Sequence, residues 1–262
     1  MFRHQLSGHG KRLVIFFNIH AHFAKNAERL RYIDESGTYE LVGSSKSLHF
    51  ISPKTAQWGY WNGSAVRGAS MGKGYFLDEI RFNNGDLIVD CGAHIGDLKL
   101  YFENIGVEVE YIGFEPSLSE FLCLEKNVYP SKVYNIGLWK DKTSLKFFTS
   151  SYSADSSFIE PKSYTETSTI LVDRLSNIES RHIRLLKLEA EGGEPEVLIG
   201  CREILQNIDY ISTDLGFERG ASEENTFPEV INFLVTNGFN VVKAIAPSGR
   251  NTVLFRNSRV AG

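Results

Sequence analysis

The segment Asp86-Leu-Ile-Val-Asp-Cys-Gly-Ala-His-Ile-Gly96 decides the fold. Its apolar run Leu87–Val89 predicts a buried strand, the glycine-containing stretch 91–96 predicts a turn, and Leu98 to Ile105 has helical spacing. Open α/β sheets bind ligands at the carboxyl ends of their strands. The turn is therefore a candidate ligand-binding loop.

Strands and helices continue to alternate after this segment, which favours parallel βαβ units. The last two strands are separated only by a short turn containing Pro247 and Gly249, so they must pair antiparallel. We expect an α/β, Rossmann-like fold with a seven-stranded, mostly parallel sheet and a reversed C-terminal hairpin. The other six strands of the sheet are predicted at Val109–Phe114, Lys132–Leu138, Leu185–Glu189, Tyr210–Leu215, Asn240–Ala246 and Thr252–Phe255. Ser144–Phe148 is predicted as an added strand, and helices are predicted at Ser117–Val128, from Glu194, and at Thr226–Asn237.

Residues 1–80 lack this alternation and are interpreted as an N-terminal helix and a cap, preceding a ligand-binding domain at 81–262. The helix is predicted to dock on the domain or on a second subunit, giving a homo-oligomer. Its apolar run Leu13–Ile19 is too short for a transmembrane segment. Attachment to a membrane surface is the less favoured alternative, because the polar face carries His20, His22 and Lys25 rather than a dense row of basic residues. The apolar positions of the helix are Leu13, Phe16, Phe17, Ala21 and Ala24.

The net charge and the cysteine content indicate which substrates and which cellular compartment fit the chain. A net charge of −4 and a pI near 6.0 give no long-range attraction to a nucleic acid. The three cysteines are far apart among apolar neighbours, which suits buried thiols in a reducing compartment. We expect a cytoplasmic protein that does not act on nucleic acid.

Several residues in the candidate loop suit an adenosine ligand. Asp90 can face a cationic amine, Gly92 and Gly96 permit close backbone approach, and Glu115, 25 positions after Asp90, can accept both ribose hydroxyls. His94 replaces a middle glycine that a pyrophosphate would need, which favours S-adenosylmethionine over a nicotinamide dinucleotide. An ordinary βα turn and a solvated strand end at Glu115-Pro116 are the alternatives. Asn135 is expected either at the adenine edge or as a turn-stabilising amide.

Three segments resemble the FkbM-type methyltransferase family: Asp86 to Gly96, Phe114-Glu-Pro116, and Leu185-Leu-Lys-Leu-Glu-Ala-Glu-Gly-Gly-Glu-Pro-Glu-Val-Leu198. The resemblance covers about residues 85 to 245 and implies a class I methyltransferase fold, S-adenosylmethionine as donor, and usually O-methylation of a sugar or natural-product hydroxyl. The chain departs from the family pattern at His94, Glu189 and Ala190, where Asn, Asp and Val are common. The expected cofactor-binding residues are Asp90, Gly92, Ala93, His94, Gly96, Glu115, Pro116 and Asn135.

Catalysis by methyl transfer to an alcohol needs a positioned nucleophile and one base. Glu189 and Glu191 flank the end of the fourth long parallel strand, Asp214 ends the fifth, and His94 lies in the loop; these are the candidate bases. Each of them can equally have only a structural role, and the three acids could instead hold a divalent ion, although no metal is predicted. Lys187, between apolar neighbours, is expected to meet a carboxylate, either with its head at the solvent or in a catalytic or substrate-orienting role.

The acceptor is expected to be a carbohydrate, glycan or secondary metabolite with a hydroxyl. Ser150–Thr169 is interpreted as a substrate-side loop, and Trp58, Tyr60 and Trp61 as aromatic residues facing the acceptor, with the cap core as the alternative for the tryptophans. An N-methyltransferase, a non-catalytic adenosine-binding module and a nicotinamide oxidoreductase are the competing functions.

Overall fold

The computed structural model describes residues 2–24, 28–43, 46–51, 59–149, 156–245 and 250–260, with side chains described from residue 11 onward except that of Arg250. Its strands are β1 Arg29–Ile33, β2 Thr38–Val42, β3 Ser47–Phe50, β4 Leu87–Cys91, β5 Glu110–Phe114, β6 Lys132–Tyr134, β7 Gly137–Leu138, β8 Thr143–Thr149, β9 Glu166–Asp173, β10 Ile183–Leu188, β11 Ile208–Gly216, β12 Phe239–Ile245 and β13 Arg250–Asn257. Its α-helices are α1 Phe2–Phe23, α2 Ser64–Gly74, α3 Asp97–Ile105, α4 Leu118–Val128, α5 Leu175–Ile178, α6 Glu194–Gly200 and α7 Phe227–Thr236, and short 3₁₀ helices occupy Leu77–Glu79 and Arg202–Asn207.

The central sheet has seven strands in the order β12-β13-β11-β10-β4-β5-β6. β6, β5, β4, β10 and β11 are parallel, and β13 runs antiparallel to both β11 and β12. The predicted parallel sheet with a reversed C-terminal hairpin is confirmed, and it is the topology of class I methyltransferases.

The register of the central strands brings the candidate acids to one edge of the sheet. Cys91 is paired with both Leu188 and Phe114, and Leu188 is paired with Thr213. The residue that follows each of these four positions therefore lies at the same carboxyl edge of the sheet, where parallel α/β sheets bind ligands. Those next residues are Gly92, Glu189, Glu115 and Asp214.

Helices cover both faces of the sheet, because alternate residues of the buried strands point to opposite sides. On one face Val89, Leu186 and Ile211 pack in one cluster with Val197 of α6 and Leu234 of α7. On the other, Ile88, Leu185 and Tyr111 join Phe102 of α3 and Leu124 of α4. The sheet is thus doubly wound and fully buried at its centre.

The N-terminal part contains strands that the sequence did not predict. β1, β2 and β3 form an antiparallel sheet on which α1 packs through Leu13, Phe17 and Ala21, the spacing of every fourth residue. The predicted helix is confirmed, but Phe16 and Ala24 are exposed rather than part of its buried face. They lie on the other side of the helix from that buried row.

A buried amide joins this small sheet to the main domain. Asn127 on α4 donates to the carbonyl oxygens of His49 (2.9 Å) and Ile95 (2.8 Å) and accepts from the His49 N–H at 2.7 Å. Tyr60 and Arg67 both bond Asp97 at the start of α3. The cap is therefore tied directly to the candidate ligand loop.

Two segments differ from their predicted form. The stretch 132–138 is split into β6 in the central sheet and β7 in a separate three-stranded sheet with β9 and β8. Between them, the Asn135 amide donates to the carbonyl oxygens of Glu115 and Pro116. In the predicted loop Ser150–Thr169, residues 150–155 lie outside the described part of the chain, and Glu166 already begins β9, antiparallel to β8. Its β-branched threonines, Thr167 and Thr169, suit a half-exposed strand.

Among the described residues, no helix has both the length and the apolar character needed to cross a lipid bilayer.

Candidate cofactor and methyl-transfer site

The loop after β4 has three residues in the left-handed backbone region: Gly92 (φ 71°), His94 (φ 50°) and Gly96 (φ 90°). A Cβ on Gly92 would lie 2.1 Å from the carbonyl oxygen of Glu189, and a Cβ on Gly96 would lie 2.4 Å from a methyl carbon of Val128. Close approach of the protein's own atoms therefore explains both glycines, where the sequence had suggested close approach of a ligand. Ala93, predicted beside them, is buried, and its N–H donates to the carbonyl of Phe114 at 2.9 Å.

Glu115 is held by the main chain at the end of β5. One carboxylate oxygen accepts the His94 N–H at 2.8 Å and the other accepts the Ser117 N–H at 2.8 Å. Burial raises the pKa of Glu115 to about 8, even though both backbone bonds favour the charged form. A ligand that brings hydroxyl donors would stabilise the carboxylate further and lower that pKa.

Asn135 and Pro116 lie beside Glu115. The Asn135 amide donates to the carbonyl oxygens of Glu115 (2.9 Å) and Pro116 (3.0 Å). The amide N–H groups therefore stabilise the turn, which was one of the two expectations for Asn135. Contact of its amide oxygen with an adenine remains a prediction.

Asp90, although it is at the end of β4, is enclosed by protein. It is 1% exposed, accepts the Tyr111 hydroxyl at 2.7 Å, and lies 3.2 Å from the ammonium of Lys187. Burial raises the pKa of Asp90, against the opposing effect of Lys187. The cationic amine that Asp90 faces in the structure is thus the protein's own lysine.

Lys187 links the cofactor loop to Glu189. Its ammonium donates to the carbonyl oxygen of Gly92 at 2.7 Å and lies 3.1 Å from a carboxylate oxygen of Glu189. The expected carboxylate partner of Lys187 is confirmed. The alternative, in which its ammonium reaches solvent, is wrong, because the side chain is only 3% exposed. Burial opposes the charge, but Asp90, Tyr75 and Glu189 outweigh it and hold the pKa of Lys187 well above its ordinary value.

Tyr75, which no sequence pattern indicated as a site residue, contacts the same carboxylate. It follows α2, its hydroxyl donates to Glu189 Oε2 at 2.5 Å, and its carbonyl oxygen accepts the hydroxyl of Ser212 on β11 at 2.6 Å. Burial and the nearby Glu189 charge raise the pKa of Tyr75 well above its ordinary value, so the phenol stays protonated. Glu189 Oε2 thus receives two donors, while a quarter of the Glu189 side chain is exposed.

The other candidate bases are arranged around this group. Asp214 lies in β11, two residues before its end, and its charge also raises the pKa of Tyr75. A catalytic role for Asp214 remains a prediction. The backbone of Glu191 is left-handed (φ 47°), and its carbonyl oxygen accepts the Ser157 hydroxyl at 2.8 Å. His94 belongs to the neighbouring group, through its N–H bond to Glu115.

The turn that follows Glu189 is fixed by two residues that were not predicted as site residues. Glu194, 1% exposed, accepts the N–H groups of Ala190 (2.8 Å) and Gly192 (3.3 Å), and burial raises its pKa to about 7. Arg219 donates to the Gly192 carbonyl at 2.7 Å and forms a bidentate pair with Glu196. Glu194 has a sequence signal, the glutamate-rich run from Glu189 to Glu196, but only the partners seen in the structure separate the roles of its glutamates. Arg219 has no such signal.

The aromatic residues expected at the acceptor belong to the cap. Tyr60 is fully buried, and its hydroxyl bonds Asp97. The prediction that its ring faces the acceptor is therefore wrong. Trp61 stacks on His20 with ring centroids 4.3 Å apart and meets Phe17 edge-on at 5.7 Å, as a cap-core residue would. Trp58 lies outside the described residues. Within the described ranges, no group of three or more His, Cys, Asp or Glu residues is arranged to hold a metal ion.

The sheet and the acidic carboxyl edge define a class I methyltransferase domain. The family model for the methyltransferase FkbM domain matches residues 90–241, more than half of the chain. This chain belongs to the FkbM methyltransferase family, and its methyl donor is S-adenosylmethionine.

Solved structures are similar at low identity. An FkbM methyltransferase from Methylobacillus flagellatus KT is 16% identical with a TM-score of 0.49; the match covers 68% of this chain but only 44% of that protein's length. TrmK of M. capricolum in complex with S-adenosylhomocysteine is 11% identical, with coverages of 73% and 67% and a TM-score of 0.41. A precorrin-6y C5,15-methyltransferase from Geobacter metallireducens GS-15 is 10% identical, with coverages of 74% and 88% and a TM-score of 0.43. No curated protein matches the chain significantly.

Proposed function

We propose that the protein O-methylates a hydroxyl group of a carbohydrate or secondary metabolite, and that Glu189 orients this hydroxyl and accepts its proton. The supporting observation is the bonding of the Glu189 carboxylate, whose Oε2 receives Tyr75 and Lys187. These two donors fix the direction of the carboxylate at the carboxyl edge of the sheet, where a quarter of the Glu189 side chain is exposed and can be reached by a substrate hydroxyl. An oriented carboxylate at the sheet edge is the arrangement that a hydroxyl nucleophile requires.

The residues present fit a cationic, adenosine-containing donor. Asp90, Lys187 and Glu189 together carry one net negative charge, and Asp214 adds another nearby, which favours a sulfonium over an anionic pyrophosphate. Glu115 would hold the ribose hydroxyls, and the loop 91–96 with Asn135 would hold the remainder. The bound donor supplies a methyl group that is already activated by its sulfonium.

The division of labour within the chain follows from these contacts. Residues 81–262 bind the donor, and residues 1–80 complete the acceptor side by contributing Tyr75. Tyr75 and Lys187 both bond Glu189 Oε2 and fix the direction of the carboxylate, so we assign them as positioning residues. Three free, buried cysteines, Cys91, Cys123 and Cys201, suit a reducing compartment, and we propose the cytoplasm.

The experiment is a transfer assay with S-adenosylmethionine carrying a deuterated methyl group. The purified chain is incubated with mixed mono- and oligosaccharides, phenolic and aliphatic alcohols, small amines and a transfer RNA, and products are read by mass spectrometry. We expect the label on a hydroxyl oxygen. Label on an amine nitrogen or on RNA would refute the acceptor class, and bound S-adenosylhomocysteine without transfer to any compound would favour a non-catalytic binding module.

A further inference from the structure

The outward side of α1 exposes a row of large apolar side chains. Ile15, Phe16, Ile19 and Phe23 are 58%, 67%, 51% and 80% exposed, on the side of the helix opposite the buried row of Leu13, Phe17 and Ala21. Because residues three and four apart share a helix face, the four side chains form one continuous patch rather than scattered exposures. Such patches mark interaction surfaces. We call these four residues the α1 patch.

The charges of α1 have a single sign. The helix contains Arg3, Lys11 and Arg12 but no Asp or Glu, in a chain whose net charge is −4. Arg12 is exposed and lies three residues before Ile15 and four before Phe16, so it is on the same face as the α1 patch. Lys11 borders the patch, and its pair with Asp34 at 3.3 Å is exposed to solvent.

The position of Arg12 decides which partner fits. In a dimer formed through the α1 patch, the two-fold axis would bring the same face of both helices together. Each Arg12 would then be buried against apolar side chains and a like charge, and the partner helix would offer no carboxylate. At a lipid surface, the same guanidinium can extend from the apolar face to the phosphates.

We propose that α1 lies in the plane of an anionic lipid surface, with the α1 patch inserted among the acyl chains and Arg12 and Lys11 at the headgroups. This proposal is independent of the methyl-transfer chemistry. The charge of the whole protein would repel an anionic surface, so attraction must come through this helix. The apolar row needs only the depth of an interfacial helix and does not span the bilayer.

Vesicle flotation of the full chain tests the proposal. Vesicles of phosphatidylcholine alone are compared with vesicles that contain about one third phosphatidylglycerol, at low and physiological salt. We expect flotation with the anionic vesicles only, weakened by salt. Phe16→Ser combined with Phe23→Ser should lower the partition coefficient about tenfold or more, and Arg12→Gln about fivefold.

Matched controls separate this surface from general stickiness. Leu118→Ser removes an equally exposed apolar side chain from α4, and Arg81→Gln removes an exposed arginine elsewhere; both should float like the unaltered chain. Circular dichroism checks that each variant is folded. Absence of flotation with anionic vesicles, or equal losses in the control variants, would overturn the proposal. A dimer that light scattering detects and Phe16→Ser dissociates would identify a second copy as the occupant instead.

Discussion

The two halves of the candidate site are held in different ways. On the cofactor side, Glu115 and Asn135 bond main-chain groups no more than 21 residues away. On the acceptor side, Glu189 bonds Tyr75 from 114 residues away, and Tyr75 is in turn fixed by Ser212 at a separation of 137. The cofactor side is thus organised by local βα turns, whereas the acceptor side forms only when the cap segment packs against the finished sheet. Substitutions on the two sides should therefore affect different measurements.

The largest expected effect is that of Glu189→Gln, which keeps the shape of the side chain but removes its charge. Turnover should fall about 10²–10⁴-fold while affinity for S-adenosylhomocysteine stays nearly constant, because this product lacks the sulfonium that the Glu189 charge would attract. Steady-state kinetics and calorimetry measure the two quantities. Glu125→Gln, the same change at an exposed position on α4, is the control. Normal turnover in the Glu189 variant would remove this residue from the mechanism, and activity that depends on an added divalent ion would indicate a ligand role.

Tyr75→Phe should have the next largest effect. It removes one hydrogen bond to a charged acceptor, about 1.5–3 kcal/mol, so kcat should fall roughly 10–10²-fold with little change in KM for the donor. Tyr101→Phe is the matched control, since its buried phenol bonds Asp78 at 3.1 Å, outside the site. If both phenylalanine variants lost activity equally, Tyr75 would have only a general packing role.

A smaller effect concerns stability on the cofactor side. Glu115 has a folded pKa of about 8, raised above the ordinary value of 4.5, so its contribution to stability is complete below that ordinary value and is lost as pH rises through about 8. Ligand-free protein should therefore melt at a lower temperature at pH 8.5 than at pH 5.5. In Glu115→Gln this decline should be smaller by roughly 2–4 °C, the shift that about 1 kcal/mol causes in a domain of this size. Identical declines in both proteins would contradict the buried, protonated Glu115.

The positions of the strand-end acids could be predicted from the sequence because the information for them is local. The ends of strands such as Leu87–Cys91 are visible as apolar runs, and parallel topology then brings Glu115, Glu189 and Asp214 to one edge. The left-handed backbone at Gly92 and Gly96 could likewise be predicted, because glycine is the residue that adopts this conformation most readily.

The contacts that the cap makes with these acids could not be predicted in the same way. Tyr75 follows a glycine-rich helix without any strand-end pattern, and only tertiary packing gives it a partner. The strands β1–β3 were missed because they are four or five residues long and separated by charged and Gly/Ser-containing turns, which masks their alternation. Tyr60 is a residue type that suits a sugar-binding site. In the structure it is buried against Asp97 and packs with residues of β1–β3, the strands that were not predicted.

Titration calorimetry with S-adenosylhomocysteine, at pH 7 in buffers of different ionisation enthalpy, tests the central claim most directly. The ribose hydroxyls should lower the pKa of Glu115 from about 8, so binding should release a fraction of a proton approaching one. Glu115→Ala should bind at least tenfold more weakly and release fewer protons, Glu125→Ala should behave like the unaltered chain, and NAD should not bind. Binding of NAD without binding of S-adenosylhomocysteine, or unchanged affinity in a folded Glu115→Ala protein, would contradict the account.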